Sequence, residues 1–247
     1  MKITLLGTGD TVGTPKIGCT CPTCKDAIFP ESKSKRTRFS ILIGSDKGKI
    51  LIDTSPDLRL QLLTNSISKV DGVIWTHSHY DHFTGFGDFY RVQNDTDVYG
   101  LGETLDEILR YLDFMTYSRN DVELYVPFKL IGLDFMLFKV NHPPIKNSVG
   151  VCVSNSKKKL VITGDTKDSI PEESLGVMKD ADLMIADAII PPNFNVKKHM
   201  DSDEAVSLAK KLGSKRLILT HLSHLYPPHD IASKNLPLGY DNMKIEL

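Results

Sequence analysis

The stretch His77-Ser-His79-Tyr-Asp81-His82 places three imidazoles and one carboxylate within six residues. It follows Val73-Ile-Trp-Thr, the end of an apolar run that reads as a buried strand over Val70–Trp75. His77 and His79, two apart just past a strand, can point the same way. Asp81 and His82, at the start of the helix expected next, can face a second ion nearby. Such a density of ligand-type side chains is hard to explain as packing. It points to a metal centre.

Three more apolar runs lead into a residue of ligand type. Phe138-Lys-Val-Asn runs into His142, Leu160-Val-Ile-Thr-Gly into Asp165, and Leu217-Ile-Leu-Thr into His221. Strand ends that converge on one sheet edge can gather distant residues into one site. Taken singly these residues say little. A lone histidine is usually a surface or satisfied core group, and Asp165 after Thr-Gly could be a turn residue.

The 247-residue length suits one large domain, and no linker, low-complexity tract or repeat divides it. A single domain over 1–247 is expected. The formal net charge of −1 implies no global attraction to nucleic acid or anionic membrane. No window approaches the apolar length of a membrane span. The opening MKITLLGTGDTVG runs into a strand pattern and lacks the parts of a signal peptide. These features point to a cytoplasmic protein, where thiols stay reduced.

Periodicity supplies the elements. Strands are expected at Lys2–Leu6, Phe128–Leu130, Phe135–Val140, Val149–Val153, Lys159–Ile162, Leu183–Ala186 and Arg216–Leu219. Phe39–Ile43 and Lys49–Ile52 flank Gly-Ser-Asp-Lys-Gly and read as a hairpin. Helices are expected at Asp57–Leu63, Glu103–Met115 and Asp203–Leu212. The last has acidic residues at its start and lysines at its end, which complements the helix dipole. Hairpins mixed with β-α units suggest a layered α/β sandwich.

At these residues the sequence resembles the metallo-β-lactamase fold superfamily. His77-x-His79-x-Asp81-His82 matches its signature, and His142, Asp165 and His221 match its remaining ligands in order. Asp53 in Ile50-Leu-Ile-Asp53-Thr matches an early aspartate that supports the metal loops without binding metal. The resemblance implies a four-layer αββα sandwich with a dinuclear site at one edge. By carry-over His77, His79 and His142 hold one ion, Asp81, His82 and His221 hold the other, and Asp165 bridges them. Two divalent ions roughly 3.5–4 Å apart can share one hydroxide and clamp phosphodiester oxygens as charge develops. A thiolate-free site of this kind accepts zinc, manganese or iron.

A second cluster, Cys19-x-Cys21-x-x-Cys24, holds three of the four cysteines. Three thiols are too many for one disulfide and one short of a four-cysteine zinc site. Here the chain resembles the family of the phosphodiesterase of the carbon–phosphorus lyase pathway, as does its ending Gly239-Tyr-Asp-Asn-Met-Lys-Ile-Glu-Leu247. That resemblance implies a structural zinc whose fourth ligand is His224, with His229 as the alternative. It also implies that His199, in Lys197-Lys-His199-Met-Asp201, acts beside the metals on the scissile phosphate. By residue type alone, His199 reads equally well as an exposed histidine in a basic loop. Cys152 and Trp75 read as core. Arg36 and Arg38 read either as contacts to a second substrate phosphate or as a solvated face.

The resulting expectation is a metal-dependent phosphodiesterase with Asp81, Asp165 and His199 at the reacting group. Its substrate would be a small cyclic phosphate of the ribose 1,2-cyclic or 2′,3′-cyclic nucleotide type. The rivals are a tRNA 3′-end-processing endonuclease, a thioester hydrolase, and a non-catalytic cofactor-biosynthesis protein of the same fold. The endonuclease needs an RNA-docking arm, and no Gly/Pro-rich insertion of that kind occurs here. The complete ligand set argues against the non-catalytic reading. Homodimerisation is common among related proteins, though no interface is visible in the sequence.

Overall fold

The computed structural model describes every residue except Asn193 and Asn195. Among the described residues, thirteen strands form two sheets. They are β1 (Lys2–Gly7), β2 (Ser40–Ser45), β3 (Gly48–Ile52), β4 (Gly72–Ile74), β5 (Thr96–Gly100), β6 (Tyr117–Asp121), β7 (Phe128–Leu130), β8 (Leu133–Lys139), β9 (Val149–Ser154), β10 (Lys159–Ile162), β11 (Leu183–Asp187), β12 (Leu217–Thr220) and β13 (Met243–Glu246). The first sheet has the order β13-β1-β2-β3-β4-β5-β6 and the second β12-β11-β10-β9-β8-β7. The helices are α1 (Pro22–Asp26), α2 (Leu58–Thr64), α3 (Tyr80–Phe83), α4 (Gly102–Leu109), α5 (Glu172–Met178), α6 (Ser202–Lys211) and α7 (His229–Ala232).

Period-two patterning explains why the sheets stack. Ile41, Ile43, Ile50 and Ile52 face Val149, Val151, Val153, Leu160, Ile162, Leu183 and Ile185 in one inner core. Alternate residues on the same strands face outward. Leu42, Leu51 and Trp75 pack with Leu58 of α2 and Leu105 and Ile108 of α4. Cys152, Val161 and Met184 pack with Leu175 of α5 and Ala205 and Leu208 of α6. The result is an αββα sandwich. Cys152 and Trp75 are core residues, 8% and 0% exposed. No helix among the described residues is long and apolar enough to cross a membrane.

The topology collects the strand ends. β3, β4, β5 and β6 pair in parallel, as do β10, β11 and β12. β8 is antiparallel to β9, which is antiparallel to β10, so β8 ends at the same edge as β10. At that edge Thr76 O accepts a 3.1 Å bond from Val149 N and ties the two sheets together.

Three strands lie outside the periodicity expectations. β6 (Tyr117-Ser-Arg-Asn-Asp) is a polar edge strand with no apolar alternation, held by its pairing with β5. β5 and β13 are short and likewise depend on partners. The helix expected over Glu103–Met115 stops at Leu109. Leu112 and Met115 stay buried, but their amides bond three residues back to Leu109 and Leu112 in successive turns. A three-residue apolar spacing serves such turns as well as it serves a helix.

Candidate metal centre

His77, His79, His142 and Asp165 each offer a ligand atom within 4.8 Å of the others, and so do Asp81, His82 and His221. The first group is fixed by hydrogen bonds on its far side. The Nδ1–H of His77 donates to Thr76 Oγ1 at 3.0 Å, and Thr76 Oγ1 donates to Asp53 Oδ2 at 2.7 Å. The Nδ1–H of His142 donates to the Lys198 carbonyl at 3.0 Å. Both Nε2 lone pairs therefore face the pocket, 3.0 and 3.1 Å from His79 Nδ1. One proton on His79 cannot satisfy two acceptors. A tetrahedral ion with nitrogen ligands at about 2.1 Å, whose donors lie roughly 3.3 Å apart, does.

The second group is built around Asp165. Its Oδ2 lies 3.2 Å from His82 Nε2 and 3.4 Å from His221 Nε2. The same atom lies 3.7 Å from His77 Nε2 and 3.9 Å from His142 Nε2, so it stands between the two groups. Gly164 makes this placement possible. Its φ is +62°, and a Cβ there would meet Val149 O at 2.7 Å. His82 Nδ1–H donates to Asp53 Oδ2 at 2.7 Å, which leaves His82 Nε2 buried without a hydrogen-bond partner. Neither ring nitrogen of His221 has a hydrogen-bond partner among the described residues. Asp53 and His221 both hold left-handed backbone angles, φ +59° and +57°, an arrangement that concentrates at functional sites.

The electrostatics match that chemistry. Burial drives His77 well below the usual imidazole range, His79 down to about 4, and His142 downward. These rings are neutral, as metal ligation requires. Burial also opposes charge on Asp165, yet His221 and His82 hold it well below the carboxylate range. Burial opposes charge on His82 and His221 as well, but neighbouring carboxylates, Asp165 foremost, raise both well above the usual imidazole range. The carboxylates demand positive charge here, which imidazolium or a divalent cation can supply. The donor set fits two divalent ions.

His199 lies at the same pocket. Its ring stacks on His221 with centroids 5.0 Å apart, and its Nδ1–H donates to Asp187 Oδ2 at 2.8 Å. Burial opposes charge on Asp187, but His199 and His221 hold its pKa below the ordinary value. Asp187 is absent from the sequence expectations. The signal was available, because Leu183-Met-Ile-Ala-Asp187 is another strand that ends in a carboxylate. The pocket measures about 250 Å³ and adds Thr11, Tyr80, Ile189 and Lys198 to the metal-site residues and His199.

The thiol cluster closes with His224. His224 Nδ1 lies 3.5 Å from Cys19 Sγ and 3.6 Å from Cys21 Sγ, and Cys24 joins the same group. Cys21 caps α1, where its sulfur accepts from Cys24 N at 3.4 Å. Burial pushes the Cys24 thiol up to about 12, a cost that a metal would remove by holding the thiolate. His229 is elsewhere: its Nδ1 accepts from Arg36 Nη2 at 3.1 Å.

Arg36 corrects an expectation. It is 5% exposed, and its other guanidinium bonds run to Thr8 Oγ1 and Gly239 O, both at 2.7 Å. Buried among these partners, the guanidinium belongs to no solvated face, and it does not line the pocket at Asp165 and His199. Arg38 instead pairs with Asp57 at 3.2 Å.

A family model described as the beta-lactamase superfamily domain matches residues 49–222. The octanoyltransferase of Porphyromonas gingivalis is 29% identical over 265 aligned positions, covering 99% of this chain and 51% of that protein. The chain thus spans about half the length of that relative. The probable metallo-hydrolase YhfI of Bacillus subtilis is 28% identical over 66% of this chain and 69% of its own. The crystal structure of a diphosphatase from the PhnP family superposes with a TM-score of 0.88 at 27% identity, covering 100% of this chain and 97% of that one.

Proposed function

Because the chain belongs to the beta-lactamase superfamily domain family, we propose that it is a metal-dependent hydrolase that cleaves a small phosphodiester. The cyclic phosphates of ribose 1,2-cyclic or 2′,3′-cyclic nucleotide type are the favoured substrates. The observation that carries this reading is the meeting of three features in one 250 Å³ pocket. They are two ligand groups, a carboxylate oxygen between them, and a hydrogen-bonded imidazole at their side. That volume accommodates a single phosphodiester group with a small substituent. The likeness to a diphosphatase supports chemistry at phosphorus.

His77, His79 and His142 would hold one divalent ion, Asp81, His82 and His221 the other, with Asp165 between them. When bound, such a pair lowers the pKa of water and stabilises charge that develops on phosphoryl oxygens. The chain's own groups do the rest. Asp187 fixes the His199 tautomer by accepting from Nδ1, which leaves Nε2 for the substrate. As water adds to phosphorus with loss of one proton to solvent and the P–O bond to the leaving oxygen breaks, His199 in its imidazolium form can pass its Nε2 proton to that oxygen while Nδ1–H stays bonded to Asp187. The Lys198 carbonyl orients His142, and Lys198, which lines the pocket, is the cationic residue there that an anionic substrate tail could meet.

A second reading, hydrolysis of a P–O–P linkage, is favoured by the diphosphatase likeness and by Lys198. Assay of bis-p-nitrophenyl phosphate, 2′,3′-cyclic AMP, a dinucleoside diphosphate, pre-tRNA and a glutathione thioester tests the assignment. Turnover of cyclic and activated diesters is expected. Thioester turnover without diester turnover would sink it.

A further inference from the structure

One buried phenol lies between the thiol cluster and the His199 imidazole. Tyr226 is 2% exposed and sits two residues beyond His224. Its backbone carbonyl accepts a hydrogen bond from the hydroxyl of Thr23, which lies between Cys21 and Cys24 on α1. Its own hydroxyl lies 2.8 Å from Ala188 O and 2.7 Å from Ile190 O. A phenol carries one proton, so it serves either carbonyl in turn and sits centred between them.

Those carbonyls belong to the segment that holds Asp187 and His199. Ala188 directly follows Asp187. Ile189 N donates to Met200 O at 3.1 Å, and Ser202 N donates to Ile190 O at 3.1 Å, so residues 188–190 are laced to the chain that carries His199. Ser223, between His221 and His224, adds a 2.9 Å bond from its N–H to Ile189 O. His199 itself belongs to no helix or strand. Its place depends on these few bonds rather than on a regular ladder.

We propose that Tyr226 is a positioning residue for His199, and that through Thr23 it makes that position depend on the Cys19, Cys21, Cys24 and His224 cluster. The hydroxyl holds residues 188–190 where Asp187 can bond His199 Nδ1 and where the His199 ring can lie over His221. The ring of Tyr226 packs in the helix-side core, and phenylalanine would fill the same space. The hydroxyl is therefore separable from the packing. What His199 does to substrate rests on the proposed function; its placement does not.

The test is Tyr226→Phe, alone and combined with His199→Ala, with Thr23→Val as a second variant that leaves the phenol intact. Tyr226→Phe should lower kcat on bis-p-nitrophenyl phosphate about tenfold, with KM within about twofold and metal content unchanged. In the His199→Ala background it should have no further effect, because its influence runs through His199. Thr23→Val should act in the same direction and be silent in the same background. Independently of turnover, the His199 Nδ1 proton, sheltered by Asp187, should exchange with water about tenfold faster in Tyr226→Phe by NMR. An equal kcat loss with and without His199 would overturn the proposal, as would wild-type kcat together with unchanged proton exchange. If no diester is turned over at all, the functional reading fails, and the exchange measurement alone still decides the positioning role.

Discussion

The carboxylate of Asp187 accepts a 2.8 Å hydrogen bond from His199 Nδ1 while its other oxygen lies 3.7 Å from His221 Nδ1. One buried side chain thus stands behind both a candidate metal ligand and the His199 imidazole at the pocket. Replacing Asp187 by Asn keeps the shape and removes the charge. Turnover should fall about 10- to 100-fold. Both catalytic metals should remain, as counted by elemental analysis.

His199→Ala removes the donor itself. It should retain both catalytic metals and lose about 10²-fold or more in kcat, the scale of a lost general acid. Turnover equal to wild type would remove His199 from the site.

The thiol cluster carries a separate metal expectation. Cys21→Ser should remove one zinc per chain and lower the melting temperature, while the paired catalytic metals stay bound. Elemental analysis of the wild type should find three metals per chain. A count of two would show that no structural zinc is present.

His229 predicts a pH effect on stability. Burial, and then the charges of Arg36 and Lys33, push its pKa down to about 4. The folded value is depressed, so the unfolded chain takes up a proton first as pH falls from about 6.5 towards 4. Its contribution is complete above pH 6.5 and is lost across that window. Between pH 7 and 5 the wild type should lose about 1 kcal/mol more than His229→Gln after allowance for solvent screening. Urea denaturation of the two proteins at both pH values measures the difference. Equal losses would mean that His229 does not carry it.

Lys198 lines the pocket from outside the proposed ligand set. Lys198→Ala should raise KM about threefold to fivefold for substrates with a second anionic group, the scale of one partly exposed ion pair. Substrates with a neutral tail should be unaffected. Equal effects on both classes would deny it that role.

Local patterns announced much of this molecule. The inner-face alternation of Ile41, Ile43, Ile50 and Ile52 is a property of neighbouring residues, and it survives folding unchanged. So does the spacing from His77 to His82, where a strand end and the first turn of α3 leave little choice of direction. The edge strand Tyr117–Asp121 escaped because it lacks apolar alternation and takes its form from pairing with β5, which no local pattern encodes. The same reason hid the choice between His224 and His229, five residues apart and chemically alike. Packing sends one to the sulfurs of Cys19 and Cys21 and the other to Arg36. Arg36 looked like a surface cation until the C-terminal stretch from Gly239 closed over it. Asp187 gained its meaning only when α6 and the segment before it carried His199 back to the end of β11. Composition and spacing name the chemistry that is available. Which groups meet is decided by contacts between distant segments, whose energies depend on the whole packed chain.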